Sequence, residues 1–249
     1  MTDDLTLGWD GHDTQYRSVA ELWQQELGND QSRKEEWYGK SLEYWNKSDP
    51  SINGVLGGFP EVHEIDIQGT HNFILRFQKN PTVSDGTFAL DCGAGIGRVT
   101  EALLSKIYTT TDLIEPCPHL IEEAKRRIPA ERLGTCYLES LEKMSLLESR
   151  YDLILVQWVA IYFTDVDFVD FFARCKKALR QDNPNAIIIF KDNVASTEKF
   201  IFDRTDSSII RTDSQYVALW DAAGLTQVDY ALQEPWPQKL LPTWMIALK

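Results

Sequence analysis

A three-layer α/β fold built on a seven-stranded, mostly parallel, Rossmann-like sheet is what this 249-residue chain predicts, on three observations. A short apolar run ends in Leu90-Asp91-Cys92-Gly93-Ala94-Gly95-Ile96-Gly97-Arg98 and passes directly into a helical pattern. An acid, Glu115, closes the next strand-like run about 20 residues after the glycines, the separation of neighbouring parallel strands. Beyond it, strand patterns alternate with amphipathic stretches until the last two strands, which follow one another with no helix between them.

The elements follow in order. Residues 1–80 read as an N-terminal helical extension rich in Trp, Tyr, Gln, Glu and Lys, with amphipathic helices over 18–26 and 34–45 and a Gly-rich apolar loop over 54–60 suited to a lid. A short turn-rich junction over 81–86 leads into the core, residues 81–249, as one structural domain overall. Strands are predicted over 87–91, 111–115, 135–139, 151–158, 186–191, 226–232 and 243–248, where β-branched and apolar residues cluster between turn signals. Helices are predicted over 99–106, over 120–127 with Pro118 as an early-helix signal, over 166–179 after a Thr164-Asp165 cap, and over 213–223 stopped by Gly224. The closing hairpin makes the end of the sheet antiparallel.

The glycine elbow carries the chemistry. Glycines at 93, 95 and 97 permit backbone angles that a side chain resists and let a ligand lie against bare peptide. The spacing is G-x-G-x-G led by Asp91, whereas the dinucleotide fingerprint is G-x-G-x-x-G, which favours S-adenosylmethionine over NAD. Glu115 is placed to accept both ribose hydroxyls. Against this stands the plainer reading of a Gly-rich turn and a surface glutamate; order and spacing together favour the cofactor.

Composition bounds the rest. At 43% hydrophobic the chain buries a full core, and its formal charge of −13 with a pI near 4.8 argues against direct nucleic-acid binding and suits a cationic partner. Cys92, Cys117, Cys136 and Cys175 show no C-x-x-C spacing and read as reduced thiols. No basic leader follows Met1, and no apolar run reaches the ~18 residues of a membrane span. The expectation is a cytoplasmic protein, with a nuclear location also open, that uses neither membrane nor metal and acts as a monomer.

From about Trp45 to its end the chain resembles the protein α-N-terminal methyltransferases, which methylate the free terminal amine of proteins beginning X-Pro-Lys. The resemblance is carried by Leu56-Gly57-Gly58-Phe59, by the stretch from Leu90 to Arg98, by Gln157-Trp158-Val159, by Lys191-Asp192-Asn193, and by Asp203-Arg204-Thr205-Asp206-Ser207-Ser208. It implies S-adenosylmethionine as cofactor, S-adenosylhomocysteine as its product, and X-Pro-Lys protein starts as substrates after removal of the initiator Met, ribosomal proteins among them. The implied cofactor contacts are Gly93, Gly95, Arg98, Glu115, Pro116, Cys117 and Gln157, with Leu141 and Glu142 about the adenine. Arg98 suits the methionine carboxylate because a guanidinium fork matches two oxygens.

On the substrate side the resemblance implies Trp158 against the penultimate proline, Asn193 holding the amine region, Asp206 as the base near the amine, and Asp203 toward the third-position lysine. Asp192, Ser207, Leu56, Tyr162 and Leu240 complete that set. Asp203 and Asp206 are three apart, so a helical turn would put both carboxylates on one side. One position departs from the family: four residues after Trp158, where a histidine is common, stands Tyr162, whose ordinary pKa near 10 makes it a poor base. Two other classes remain open: an S-adenosylmethionine enzyme acting on a lysine side chain or a small amine, and a non-catalytic module that holds a basic partner.

Overall fold

The computed structural model describes residues 6–77, 86–195 and 197–249. The first residues of the chain, the boundary at 80/81 and, Gly86 apart, the junction expected over 81–86 lie outside those residues.

The N-terminal part opens with strands β1 (Leu7–Trp9) and β2 (Gln15–Tyr16), followed by helices α1 (Val19–Glu26), α2 (Gln31–Asn46), α3 (Ile52–Val55) and α4 (His63–Ile74). Ser18 caps α1 and Asp30 caps α2, each side chain accepting an otherwise unpaired first-turn N–H. The helices expected over 18–26 and 34–45 are α1 and α2. Helix α4 was not expected, and its buried stripe shows why: Asp66, Thr70, Phe73 and Ile74 fall at helical spacing, but two of the four are polar, so no apolar period marks the helix.

The core runs β3 (Phe88–Cys92), a π-turn over Thr100–Leu104 that closes as α5 (Ser105–Ile107), β4 (Thr110–Ile114), α6 (Pro118–Arg127), β5 (Leu133–Tyr137), β6 (Leu153–Gln157), α7 (Asp165–Ala178), β7 (Ile187–Asn193), β8 (Lys199–Asp203), β9 (Ser208–Ile210), α8 (Asp213–Ala222), β10 (Gln227–Leu232) and β11 (Thr243–Leu248). Thr164 caps α7, and Thr212 with Gln215 forms a reciprocal capping box on α8, each worth about 1 kcal/mol.

All seven strands expected in the main sheet are present, in the order β10-β11-β7-β6-β3-β4-β5, and β11 runs antiparallel to both of its neighbours. Every residue of β6 is buried, the mark of a strand covered on both faces. On one face Phe168, Phe172, Tyr216 and Trp220 pack from α7 and α8. On the other, Phe73 and Ile74 of α4 join Leu103 and Leu104 against Ala89, Leu155 and Ile189. Strand order reverses between β3 and β6, which places a ligand crevice at their carboxyl ends.

A second, four-stranded sheet has the order β2-β1-β8-β9, with β1 parallel to β8. It overturns the helical turn expected for Asp203 and Asp206. The segment is a hairpin: Asp203 ends β8, Asp206 lies in the turn, and Phe200 and Phe202 alternate inward onto Tyr16 and Trp37. Period-2 burial outweighs the i, i+3 spacing of two acids.

Candidate active site

A cavity of about 550 Å³ opens at the carboxyl ends of β3, β4, β6 and β7, and both the elbow and Asp206 line it. At one end the chain leaves β3 through Gly93 at φ 69°, where a Cβ would come within 2.7 Å of Val159 Cγ2. Gly97, also at φ 69°, would bring a Cβ within 2.7 Å of Ile128 Cδ1. Both positions exclude side chains on conformation and on space. Glu115 is buried beneath the elbow and is fixed by two backbone donors, Gly95 N to Oε2 at 2.9 Å and Cys117 N to Oε1 at 2.8 Å. Burial pushes its pKa up, against those hydrogen bonds. Asp91 is likewise pushed up to about 6 by burial, while the Thr100 hydroxyl donates to it at 2.7 Å.

A carboxylate from the N-terminal part organises the next stretch of wall. Asp66, fully buried on α4, accepts from Arg98 Nη1 at 2.7 Å, from Gln157 Nε2 at 2.9 and 3.0 Å, and from Lys191 Nζ at 2.6 Å. Lys191, also fully buried, donates further to Thr70 at 2.9 Å and to Gln233 at 2.7 Å. The Arg98 bonds to Asp66 and His63 both run through Nη1, so the rest of its fork serves the cavity it lines. Burial and the Arg98 charge hold the His63 pKa down.

Three buried polar atoms on the wall lack a protein partner: Gln157 Oε1, Glu142 Oε1 and Trp158 Nε1. Buried polar atoms are seldom left unpaired, and a polar ligand in the cavity could satisfy these three. They suit S-adenosylmethionine. Glu115 can accept the ribose hydroxyls, Gln157 Oε1 the methionine ammonium, and Arg98 can hold the carboxylate. Leu141 and Glu142 line the same cavity, and burial raises the Glu142 pKa.

The other end of the cavity gathers distant segments. Asn193, the last residue of β7, accepts the Thr243 hydroxyl on Oδ1 at 2.9 Å, which leaves its amide N–H groups for the cavity. Trp158 holds a positive φ of 51°, an uncommon conformation for a bulky residue and one that clusters at functional sites. Asp206 Oδ2 accepts from the Tyr162 hydroxyl at 3.2 Å, and its other oxygen accepts from Ser208 N at 3.1 Å. Burial raises its pKa, and nearby Asp203 adds to the rise. Ser207 turns the hairpin at φ 56°, and Arg204 pins it to the N-terminal part through Asp10 at 3.0 Å and Glu26 at 2.9 Å.

Of the residues singled out in the sequence, Gly93, Gly95, Arg98, Glu115, Pro116, Cys117, Leu141, Glu142, Gln157, Leu56, Trp158, Tyr162, Asn193, Asp206 and Leu240 all line this one cavity. Three do not. Asp203 is exposed beside the turn and accepts from Thr205 N at 2.8 Å. Ser207 is buried in the hairpin. Asp192 is buried behind Asn193, whose backbone N–H it accepts at 2.8 Å, and burial pushes its pKa up to about 7.

Sequence reasoning missed Asp66, Lys191 as a buried partner, and Trp45 and Trp236 as residues of the cavity wall. Lys191 had a visible signal, a cation directly after the apolar run Ile187-Ile188-Ile189-Phe190. Val55, Leu56, Gly57 and Phe59, from α3 and the turn after it, line the cavity; Lys239, from the loop between β10 and β11, lies over the Phe59 ring and pairs with Glu61 at 3.2 Å. Among the described residues no group of acids, histidines and cysteines could hold a metal, and no helix is long and apolar enough to cross a membrane. The four cysteines are all unpaired.

Comparison with known proteins agrees with this geometry. The family described as AdoMet dependent proline di-methyltransferase matches residues 33–249. A SAM-dependent methyltransferase structure from Leishmania major is similar at a TM-score of 0.89 and 45% identity, over 99% of this chain and 97% of that one. Alpha N-terminal protein methyltransferase 1 of Caenorhabditis elegans is 39% identical over 216 residues, 86% of this chain and 91% of the relative. N-terminal Xaa-Pro-Lys N-methyltransferase 1-A of Xenopus laevis is 35% identical over 218 residues, 86% of this chain and 96% of the relative.

Proposed function

Because the chain belongs to the AdoMet-dependent proline di-methyltransferase family, we propose that it methylates the free α-amino group of proteins that begin X-Pro-Lys, after the initiator Met is removed. It is an S-adenosylmethionine-dependent methyltransferase, and the finer reading concerns what each residue does. The observation that carries it is the one cavity whose wall holds both the glycine elbow with Glu115 and a half-buried carboxylate, Asp206, together with Asn193 and Trp158. Bound S-adenosylmethionine supplies an electrophilic methyl group that only an uncharged nitrogen can accept.

The chain's own residues then have three tasks. The first is to remove a proton from the terminal ammonium, whose ordinary pKa of about 7.7–8.0 leaves roughly a tenth of it neutral at pH 7. Asp206 takes that proton, directly or through a water, and its raised pKa brings it nearer to the amine it must deprotonate. The second is alignment. With Oδ1 held by Thr243, the Asn193 amide presents N–H donors, which fit a backbone carbonyl of the incoming peptide and so fix the amine beside it. The third is selection. The flat Trp158 indole suits a proline ring, and proline in turn keeps the peptide start extended; Asp203 and the acidic surface favour a lysine third.

The same proposal takes in a monomeric enzyme working in the cytoplasm, and in the nucleus, on substrates that include ribosomal proteins. Mass spectrometry of short peptides varied at their first three residues tests it: a free X-Pro-Lys start is methylated and its N-acetylated form is inert. Equal turnover of both would move the target to the lysine side chain. Asp206→Asn lowers kcat about 10²- to 10⁴-fold, the usual contribution of a positioned base. An unchanged rate from pH 6 to 10 overturns the base assignment.

A further inference from the structure

Tyr162 stands where the family resemblance leads one to expect a histidine, and its surroundings define what it does there. The 3₁₀ turn that carries it, Ala160–Tyr162, follows β6, and α2 holds Tyr162 at both its backbone and its hydroxyl. Trp37 Nε1 donates to the Tyr162 backbone oxygen at 2.8 Å, and Trp45 Nε1, two helical turns on, donates to the Tyr162 hydroxyl oxygen at 2.9 Å. The hydroxyl in turn donates to Asp206 Oδ2 at 3.2 Å.

A phenolic oxygen has one in-plane position for its hydrogen and another for an accepted bond. We propose that Trp45 is a positioning residue: its indole N–H fills the accepting side of the Tyr162 oxygen, turns the Tyr162 hydrogen onto Asp206, and so keeps Asp206 an ionised proton acceptor. Tyr162 is then a fixed donor rather than a substitute base. The inference rests on the reading of Asp206 as the base and adds the device that keeps it one.

The charges around the pair explain why such a device is needed. Asp203 faces Asp206 from the same hairpin, and Asp192 faces Tyr162 from the end of β7, so both charged neighbours are acids. Arg204, the cation nearest in sequence, is drawn away to Asp10 and Glu26. Burial and Asp203 favour the protonated acid; the Ser208 hydroxyl, the Tyr162 hydroxyl and the Ser208 N–H oppose them. A bond from Trp45 also makes the phenol a better donor, because it lowers the Tyr162 pKa while burial raises it. During turnover one proton moves from the substrate ammonium to an Asp206 oxygen, which leaves a neutral amine and a neutral carboxylic acid; Tyr162 and Trp45 keep their own protons throughout.

The test compares the unaltered protein with Trp45→Phe, Tyr162→Phe and the double variant, all of which keep an aromatic ring at each site. Two quantities are read: the Asp206 titration midpoint in the ligand-free protein by carboxyl ¹³C NMR, assigned with Asp206→Asn, and the acid limb of kcat/KM with an X-Pro-Lys peptide. Tyr162→Phe moves the midpoint up by about one unit, a tenfold change in proton affinity. Trp45→Phe moves it up by less, and when added to Tyr162→Phe it moves it no further, since the indole acts only through the hydroxyl. Equal shifts by Trp45→Phe with and without the hydroxyl, or no shift in any variant, overturn the proposal. A midpoint that moves while the acid limb stays fixed supports the positioning role and overturns Asp206 as the base.

Discussion

The two ends of the cavity are built on opposite plans. The cofactor end is local: Gly93, Asp91 and Arg98 lie within nine residues of Leu90, and backbone N–H groups of the elbow and of Cys117 hold Glu115 in place. The amine end is assembled from far apart, with Trp45 from α2, Tyr162 after β6, Asn193 at the end of β7 and Asp206 in a hairpin whose sheet includes β1 and β2. Backbone holds the first, side chains hold the second. A fold that binds one cofactor can therefore keep its elbow fixed while the amine end changes by single substitutions.

Asp66 is the exception to that division, and it gives the largest expected effect. It comes from the N-terminal part, yet it serves the cofactor end. Asp66→Ala leaves Arg98 and Lys191 buried without their shared carboxylate and frees Gln157 to rotate. Loss of one partner of a buried ion pair costs about 3–5 kcal/mol. Denaturant unfolding should report a loss of that order, and calorimetry should show S-adenosylhomocysteine binding weakened at least about tenfold. Asp66→Asn, which keeps an acceptor, should fall between. A variant as stable and as tightly binding as the parent would show that the elbow needs nothing from α4.

The same contrast explains how much could be read from sequence. The central strands were legible because β6 and β7 open on four-residue apolar runs, Leu153-Ile154-Leu155-Val156 and Ile187-Ile188-Ile189-Phe190, and the elbow was legible because glycine spacing is a local constraint. Strands β1 and β2 are three and two residues long, too short for any period to show. Asp66 lies in a helix whose buried stripe is half polar, and nothing near it in sequence says that Lys191, 125 residues away, will pair with it. Asp206 was identified through family resemblance, but the hairpin that presents it needed the alternation of Phe200 and Phe202, which the spacing of the two acids obscured.

An intermediate effect tests whether the elbow is as rigid as its geometry implies. Gly93→Ala places a Cβ 2.7 Å from Val159 Cγ2 at a φ of 69°. The left-handed backbone alone costs an alanine about 1–2 kcal/mol. Cofactor affinity should fall by about tenfold, a factor that corresponds to 1.4 kcal/mol. Val159→Ala in the same chain should restore part of that loss by removing the clash but not the conformational cost. Affinity that the single substitution leaves unchanged would mean that the elbow gives way.

The smallest expected effect lies at the amine end, and it separates two acids three residues apart. Asp206 is half-buried and is the proposed proton acceptor, so its loss should appear in kcat. Asp203 is exposed, outside the cavity wall, and can reach a substrate lysine only through solvent-screened attraction. An exposed ion pair is worth about 0.2–1 kcal/mol, so Asp203→Asn should raise KM for X-Pro-Lys peptides by no more than about fivefold and change kcat far less than Asp206→Asn does. At 1 M salt, where the screening length falls to about 3 Å, the difference from the parent should vanish. With glutamine in place of the third lysine it should be absent at any salt concentration. A KM effect that survives both changes would mean that Asp203 acts through the hairpin, by shaping the turn that carries Asp206, and not through the charge of the substrate.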